Sequence, residues 1–184
     1  MKAAHDAGIH LVRLADAPRQ RLRNGGGWTR ELLAWPGPDH WRARVSVADI
    51  ESDGPFSGFP GVTRFFCVLQ GAGVELTIDG QATRVTPTDA AVRFPGEANT
   101  TCRMQGGPTR DLNLMVRGPG GAMERVSAGR VWNPAAPSCG VYALAAGPCR
   151  AGDATFALPA AALLWFERAP ASVVFDADGW WLAA

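Results

Sequence analysis

Lysine occurs once in these 184 residues, at Lys2, and histidine three times, at His5, His10 and His40. So few imidazoles, so widely spaced, form no His-x-His pair and no convergent nitrogen set of the kind that catalytic zinc or iron requires. No metal is expected, and no other cofactor. The cysteines (Cys67, Cys102, Cys139 and Cys149) form no CxxC and no regular metal spacing, so they read as packed apolar side chains. Charge of either sign is not in excess: 18 Lys+Arg against 17 Asp+Glu leave a net +1. That balance gives no electrostatic footprint for nucleic acid or for an acidic membrane face. No apolar run is long enough to cross a bilayer. Residues 1–14 lack the apolar centre of a signal peptide, and the expectation is a cytoplasmic protein with reduced thiols.

Glycine (22) and proline (14), by contrast, punctuate the whole chain. Almost no segment holds a helical period for ten residues, which favours many short strands joined by turns. The clearest strand is 41–47, where Trp41, Ala43, Val45 and Val47 share one face and Arg42, Arg44 and Ser46 the other. Next comes a hairpin: Val74, Leu76 and Ile78 alternate up to Asp79-Gly80, a dipeptide suited to a tight primed turn, and 81–85 returns. Further strands are predicted at 11–14, 29–34, 64–69, 91–94, 100–104 and 111–116, then at 125–131, 141–145, 155–158, 163–167 and 172–175. Strands this short and numerous predict an all-β sandwich or barrel. The glycine-rich stretch 118–121 marks a junction, giving a larger unit over 1–117 and a smaller one over 118–184. Phe59-Pro60-Gly61 with Cys67 is echoed by Phe94-Pro95-Gly96 with Cys102 at the same internal spacing.

Two readings fit residues 24–29, Asn-Gly-Gly-Gly-Trp-Thr. Bare backbone N–H groups and an Asn amide can approach a ligand closely, and a triple glycine can equally be a plain turn. It is not a P-loop, because no Gly-Lys-Ser/Thr ends it. The polar strand faces also admit two readings, since a polar face can look at water or into a hydrophilic barrel interior. Arg42 and Ser46 share one such face and Asp111 and Asn113 another, while Glu31 and Arg64 lie in two further strands. If these faces converge, they supply cationic anchors, amides and carboxylates around one cavity. No Ser-His-Asp, Cys-His or nucleophile-elbow arrangement supports covalent chemistry.

These blocks, taken in order, resemble the HutD/Ves family. The resemblance is carried by Asn24-Gly25-Gly26-Gly27-Trp28-Thr29-Arg30-Glu31, by residues 41–48, by Gly54-Pro55-Phe56-Ser57-Gly58-Phe59-Pro60-Gly61-Val62-Thr63-Arg64, by Phe94-Pro95-Gly96 and by Asp111-Leu112-Asn113-Leu114-Met115. It implies a bicupin-like fold of two fused β-barrel or jelly-roll units, a bacterial cytoplasmic homodimer, and an association with histidine utilisation. It further implies metal-free binding of a small anionic metabolite of the N-formyl-L-glutamate or urocanate type. The ligand-binding residues it implies are Asn24, Thr29, Glu31, Arg42, Ser46, Phe56, Ser57, Arg64, Asp111 and Asn113. Two departures stand out: Trp28 replaces a small or aliphatic residue and narrows the expected pocket mouth, and Val116-Arg117 replaces a paired Arg.

The two lines of reasoning meet on the same side chains. Two carboxylates and a formamide ask for two cationic donors and amide hydrogen bonds, which Arg42 and Arg64 with Asn24 and Asn113 would supply. A competing reading is a metal-independent isomerase or hydrolase acting on a small carboxylic acid, with Glu31 or Asp111 as general base. The aromatic C-terminal segment (Trp165, Phe166, Phe175, Trp180, Trp181) is either core or a dimer surface.

Overall fold

The computed structural model describes residues 8–184, so His5 lies outside the described residues. Strand β1 (Ile9–Arg13) is followed by a single 3-10 turn at Leu14–Asp16. Ten strands then follow: β2 (Arg19–Arg21), β3 (Gly27–Trp35), β4 (Ala43–Ile50), β5 (Gly54–Pro55), β6 (Val62–Gln70), β7 (Val74–Ile78), β8 (Gln81–Val85), β9 (Val92–Pro95), β10 (Thr100–Met104) and β11 (Thr109–Arg117). Eight more complete the chain: β12 (Ala122–Arg125), β13 (Val131–Trp132), β14 (Cys139–Ala143), β15 (Gly147–Ala151), β16 (Ala154–Leu158), β17 (Ala162–Phe166), β18 (Val173–Phe175) and β19 (Gly179–Ala183). No helix among the described residues is long and apolar enough to cross a membrane. The fold is all-β and bicupin-like.

The chain divides into two compact units, residues 18–120 and residues 121–184 together with the N-terminal residues up to 17. A single cut at 117/118 therefore needs correcting at the N-terminus. Strand β1 pairs antiparallel with β17, Ile9 opposite Phe166 and Arg13 opposite Ala162, so its backbone is satisfied by the C-terminal unit. Unit 18–120 holds a six-stranded sheet in the order β2-β3-β4-β11-β6-β9 and a four-stranded sheet in the order β5-β10-β7-β8. The other unit holds β1-β17-β14-β19-β12 and β13-β18-β15-β16.

Local chemistry explains most of these elements. The Asp79-Gly80 hairpin forms as read, with Val74 opposite Val85 and Ile78 opposite Gln81. Both turn residues have positive φ, 46° and 85°, which a primed turn demands and which Asp and Gly tolerate. Residues 125–131 are not one strand: β12 ends at Arg125, and the chain loops before β13. Strand β15 contains Gly147 and Pro148 and reads as a turn, yet it lies between β16 and β18. Strands β14, β17 and β19 are buried at every position, so no alternation marks their period.

In unit 18–120, Ala48, Ile50, Phe66, Val68, Val74, Leu76, Val85, Phe94 and Cys102 form one apolar cluster. Trp41, Val62 and Met115 form a smaller one. In the other unit the cluster includes Cys139, Val141, Cys149, Leu164, Phe166, Phe175 and Trp181. Trp165 and Trp180 are also buried, so the C-terminal aromatics belong to the protein interior.

Candidate functional site

A cavity of about 240 Å³ opens in unit 18–120. It is smaller than the roughly 300–1,000 Å³ of drug-sized ligand sites and equals the liquid volume of about eight waters at ~30 Å³ each. A small metabolite fits such a space. Arg21, Arg23, Arg44 and Arg64 line it, and among the described residues no Asp or Glu does. The remaining polar lining includes Asn24, Thr29, Ser46, Ser52, Ser57 and Asn113, with Phe56, Phe59 and Met115 among the apolar part.

Strand alternation builds this wall. Ser46 on β4 lies opposite Glu31 of β3 and Asn113 of β11, and Arg64 on β6 lies opposite Met115 of β11. A register shift between Glu31 and Leu33 inserts Leu32 into β3. The shift lets Leu32 and Leu33 both be buried while Glu31 stays on the row of Ser46. Arg44, two residues from Ser46 on the same face, then meets Glu31 diagonally across the strands. Its Nε donates to Glu31 Oε2 at 2.6 Å, which compensates the charge of Arg44.

Arg64 has no such carboxylate. It is only 6% exposed, and its charge is held by neutral groups. One terminal nitrogen donates to the Ser57 carbonyl at 3.2 Å and the other to Asn113 Oδ1 at 3.3 Å. The guanidinium carbon lies 4.8 Å from the Phe56 ring centre, 5.2 Å from Phe94 and 5.7 Å from Phe59. Nε is buried with no hydrogen-bond partner. Burial, with the charge of Arg44 as a second cause, lowers the Arg64 pKa to about 10, so it remains a cation at neutral pH. A desolvated cation facing such a cavity gives it a positive potential, which favours negative over positive charge there.

The two Phe-Pro-Gly segments meet here. Phe59 N–H donates to the Gly96 carbonyl at 2.8 Å, and Gly96 N–H donates to Val62 at 2.6 Å. A Cβ at Gly96 would sit 2.4 Å from the Phe59 carbonyl oxygen, so only glycine allows this approach. The approach brings Phe59 and Phe94 onto the same guanidinium. This echo in the sequence was the available signal for the aromatic surround of Arg64.

The glycine run is a turn and a wall at once. Gly27, at φ 155°, lies where a Cβ would fall 2.0 Å from the Asp49 carbonyl oxygen. The Asn24 side chain accepts from Gly26 N–H at 2.9 Å and donates to the Pro55 carbonyl at 2.8 Å. Its amide thus pins the turn against β5 at the cavity edge. Thr29 Oγ1 donates to the Val47 carbonyl at 3.4 Å.

Of the ten residues singled out by sequence, Asn24, Thr29, Ser46, Phe56, Ser57, Arg64 and Asn113 line this cavity. Glu31 stands behind it as the partner of Arg44. Arg42 does not belong to the wall. The chain bends at Arg42, before β4 begins, and leaves its side chain exposed, although its backbone still bonds Trp35 and Arg117 on either side. Asp111 is fully buried and does not line the cavity. Trp28 is not at the mouth either; Arg19 and Arg21 stack on its ring at 4.4 and 4.9 Å. Sequence reasoning passed over Arg21, Arg23 and Arg44 as wall residues, although Arg44 shares the predicted face of Ser46.

Among the described residues, imidazoles do not converge on the cavity. His10 bonds Glu167 at 2.7 Å in the other unit, and His40 is exposed. Among the described residues, no group of three or more His, Cys, Asp or Glu is arranged to hold a metal ion. Cys102, on the cavity wall, has its thiol pushed up to about 12 by burial first and by the charges of Asp111 and Asp53 next.

The HutD family pattern matches residues 14–182, nearly the whole chain and both units. This chain belongs to the HutD family. An uncharacterised 21.2 kDa protein in the hutC 3′ region of Pseudomonas putida is 42% identical over 109 residues, covering 58% of this chain and 57% of that protein. Protein Ves of Citrobacter koseri is 36% identical over 104 residues, covering 54% and 53%. The chain thus spans a little over half the length of these curated relatives. The structure of HutD from Pseudomonas fluorescens SBW25 superposes with a TM-score of 0.80 at 28% identity, over 95% of this chain and 97% of that one. Oxalate decarboxylase of Bacillus subtilis shares the fold alone, with a TM-score of 0.64 at 11% identity.

Proposed function

We propose that this HutD-family protein binds a small carboxylate metabolite in the cavity of unit 18–120, with Arg64 as the anchor, and that binding serves the regulation of histidine utilisation. The observation that carries this reading is the buried Arg64 cation, which no carboxylate among the described residues neutralises, in a cavity lined by arginines and by no acid among those residues. Keeping a charge out of water without a counterion is costly, and a bound carboxylate would offset that cost through charge-assisted hydrogen bonds. Asn113 and Ser57 orient the guanidinium. Phe56, Phe59 and Phe94 support it through their ring faces, and Ser46 and Thr29 offer hydroxyls to the polar remainder of the ligand.

The link to histidine utilisation rests on the family and on the naming of its relatives. N-formyl-L-glutamate and urocanate are the ligands to try. A cytoplasmic homodimer is part of the same proposal, and sedimentation of the full chain tests its assembly. No observation favours a general-base reaction at Glu31 or Asp111. Glu31 is engaged by Arg44, and neither carboxyl stands on the cavity wall.

The test is thermal unfolding with N-formyl-L-glutamate, urocanate, histidine and glutamate, each with and without chelator. A ligand at about 100 times its dissociation constant adds roughly 2.7 kcal/mol of stability, a shift of about 5–11 °C for a chain of this size. A selective shift that survives chelator and disappears in Arg64→Ala supports the anchor. Equal shifts in both proteins would place the ligand elsewhere, and no shift with any compound would remove this ligand class.

A further inference from the structure

The fully buried carboxyl beside the cavity is the least explained group in unit 18–120. Asp111 is 0% exposed, its Oδ2 accepts from Thr109 Oγ1 at 3.0 Å, and its Oδ1 has no hydrogen-bond partner. No basic group pairs with it among the described residues. Its strand neighbours are Ala48 on β4 and Val68 on β6, both in the apolar cluster. Two residues along β11, about 6.8 Å further on the same face, stands Asn113, whose Oδ1 holds the Arg64 guanidinium.

The titratable and charged groups around Asp111 are few. Asp49 of β4 acts on it electrostatically and is itself bonded by Arg110 at 2.7 Å. The thiol of Cys102 on β10 lies within its field, with Asp53 acting on the same thiol. Arg64 of β6 bonds Asn113 and not Asp111, while Ala48, opposite Asp111 on β4, and Cys102 both line the cavity. Burial raises the Asp111 pKa to about 8, so the group is a neutral acid at pH 7.

We propose that Asp111 tunes the anion site from behind its wall at Ala48 and Cys102, so that an anion is held in the cavity more tightly while Asp111 carries its proton. An ionised Asp111 places negative charge directly behind the wall residues Ala48 and Cys102, where it repels an anion in the cavity. Linkage makes the effect reciprocal: binding the anion retains the proton, and losing the proton releases the anion. This inference deepens the anion-site reading and rests on it.

Calorimetric titration of the full chain with N-formyl-L-glutamate at pH 7, 8 and 9 tests the coupling. Wild-type affinity is expected to fall about tenfold between pH 7 and pH 9, as the protonated fraction of a group titrating near 8 declines. Titrations near pH 8.5 in buffers of different ionisation enthalpy should show uptake of about three-quarters of a proton on binding. Asp111→Asn, nearly isosteric and without a titrating proton, should bind with little pH dependence and no uptake. An equal pH slope in wild type and variant would overturn the proposal, as would binding to wild type without proton uptake.

A ligand-free readout separates this failure from failure of the anion site. The folded protein holds a proton on Asp111 up to about pH 8, whereas the unfolded chain loses it near pH 4. The folded state therefore binds more protons between those values, so this group makes stability fall as pH rises from about 4 to about 8 and leaves it level above. Asp111→Asn should remove that component from thermal unfolding. If the variant follows wild type at every pH, the buried acid is not held neutral and the inference fails, whatever the ligand result. If N-formyl-L-glutamate binds at no pH while the stability difference appears, the ligand class of the anion site is wrong and the buried acid stands.

Discussion

The two units solve one architectural problem with opposite interiors. In the unit formed by residues up to 17 and 121–184, the cluster around Cys149, Phe175 and Trp181 is apolar throughout. Ser138 is that unit's contribution to the buried polar residues among those described. Unit 18–120 buries Ser46, Thr63, Arg64, Thr100, Thr109, Asp111 and Asn113. An apolar filling stabilises by removing area from water. A polar filling is retained only where its groups are satisfied or where they serve a ligand. The difference teaches where to look for function: in a pair of similar β units, the one that accepts an electrostatic cost is the one in which to test for a ligand.

Substitutions break or sharpen that contrast in a graded way. The largest effect is expected at Phe175→Ala in the apolar unit. It should cost about 3–5 kcal/mol of stability by leaving a cavity, with ligand affinity unchanged in the molecules that remain folded. Chemical denaturation and calorimetry together check this, and a parallel loss of affinity would deny the units their separate roles. Arg64→Met should show the reverse pattern. Binding weakens by about 2–5 kcal/mol, the usual result of truncating a buried charged partner, while stability holds or rises because an uncompensated buried cation has been removed. Destabilisation of several kcal/mol would instead make Arg64 a structural residue.

A smaller change is expected from Glu31→Gln. It removes the counter-charge of Arg44, which is partly exposed, so anion affinity should tighten by no more than about 1 kcal/mol. The gain should shrink in 1 M salt, where charges are screened beyond about 3 Å. Weaker binding in this variant would show that Glu31 itself contacts the ligand. Arg42→Ala, at an exposed position before β4, should alter stability and affinity by less than about 0.5 kcal/mol. A larger loss of affinity would return Arg42 to the site.

Particular elements show what could be read in advance. The hairpin at Asp79-Gly80 was legible because its turn needs positive φ at two successive residues, and few dipeptides provide it. Strand β4 was legible from its alternation, and with it the shared face of Arg44 and Ser46. Strands β14 and β17 were read as short apolar runs at 141–145 and 163–167, whereas β19, buried at every position and without alternation, and β15, behind a Gly-Pro pair, were not. At the cavity, the family blocks drew attention to Asn24, Thr29, Phe56, Ser57, Arg64 and Asn113, all of which line it. Arg42 and Asp111 do not line it for different reasons: Arg42 is exposed where the chain bends before β4, and Asp111 is fully buried.

By itself, the sequence determined the all-β class, the bicupin-like pair of units and membership of the HutD family, because turn chemistry, strand period and ordered motifs are local properties of the chain. Tertiary structure decided that β1 joins the C-terminal unit and that two Phe-Pro-Gly segments close on one guanidinium. It also decided that Arg44 is neutralised by Glu31 while Arg64 is not. Charge compensation depends on which side chains meet across strands far apart in sequence, and strand pairing alone fixes that.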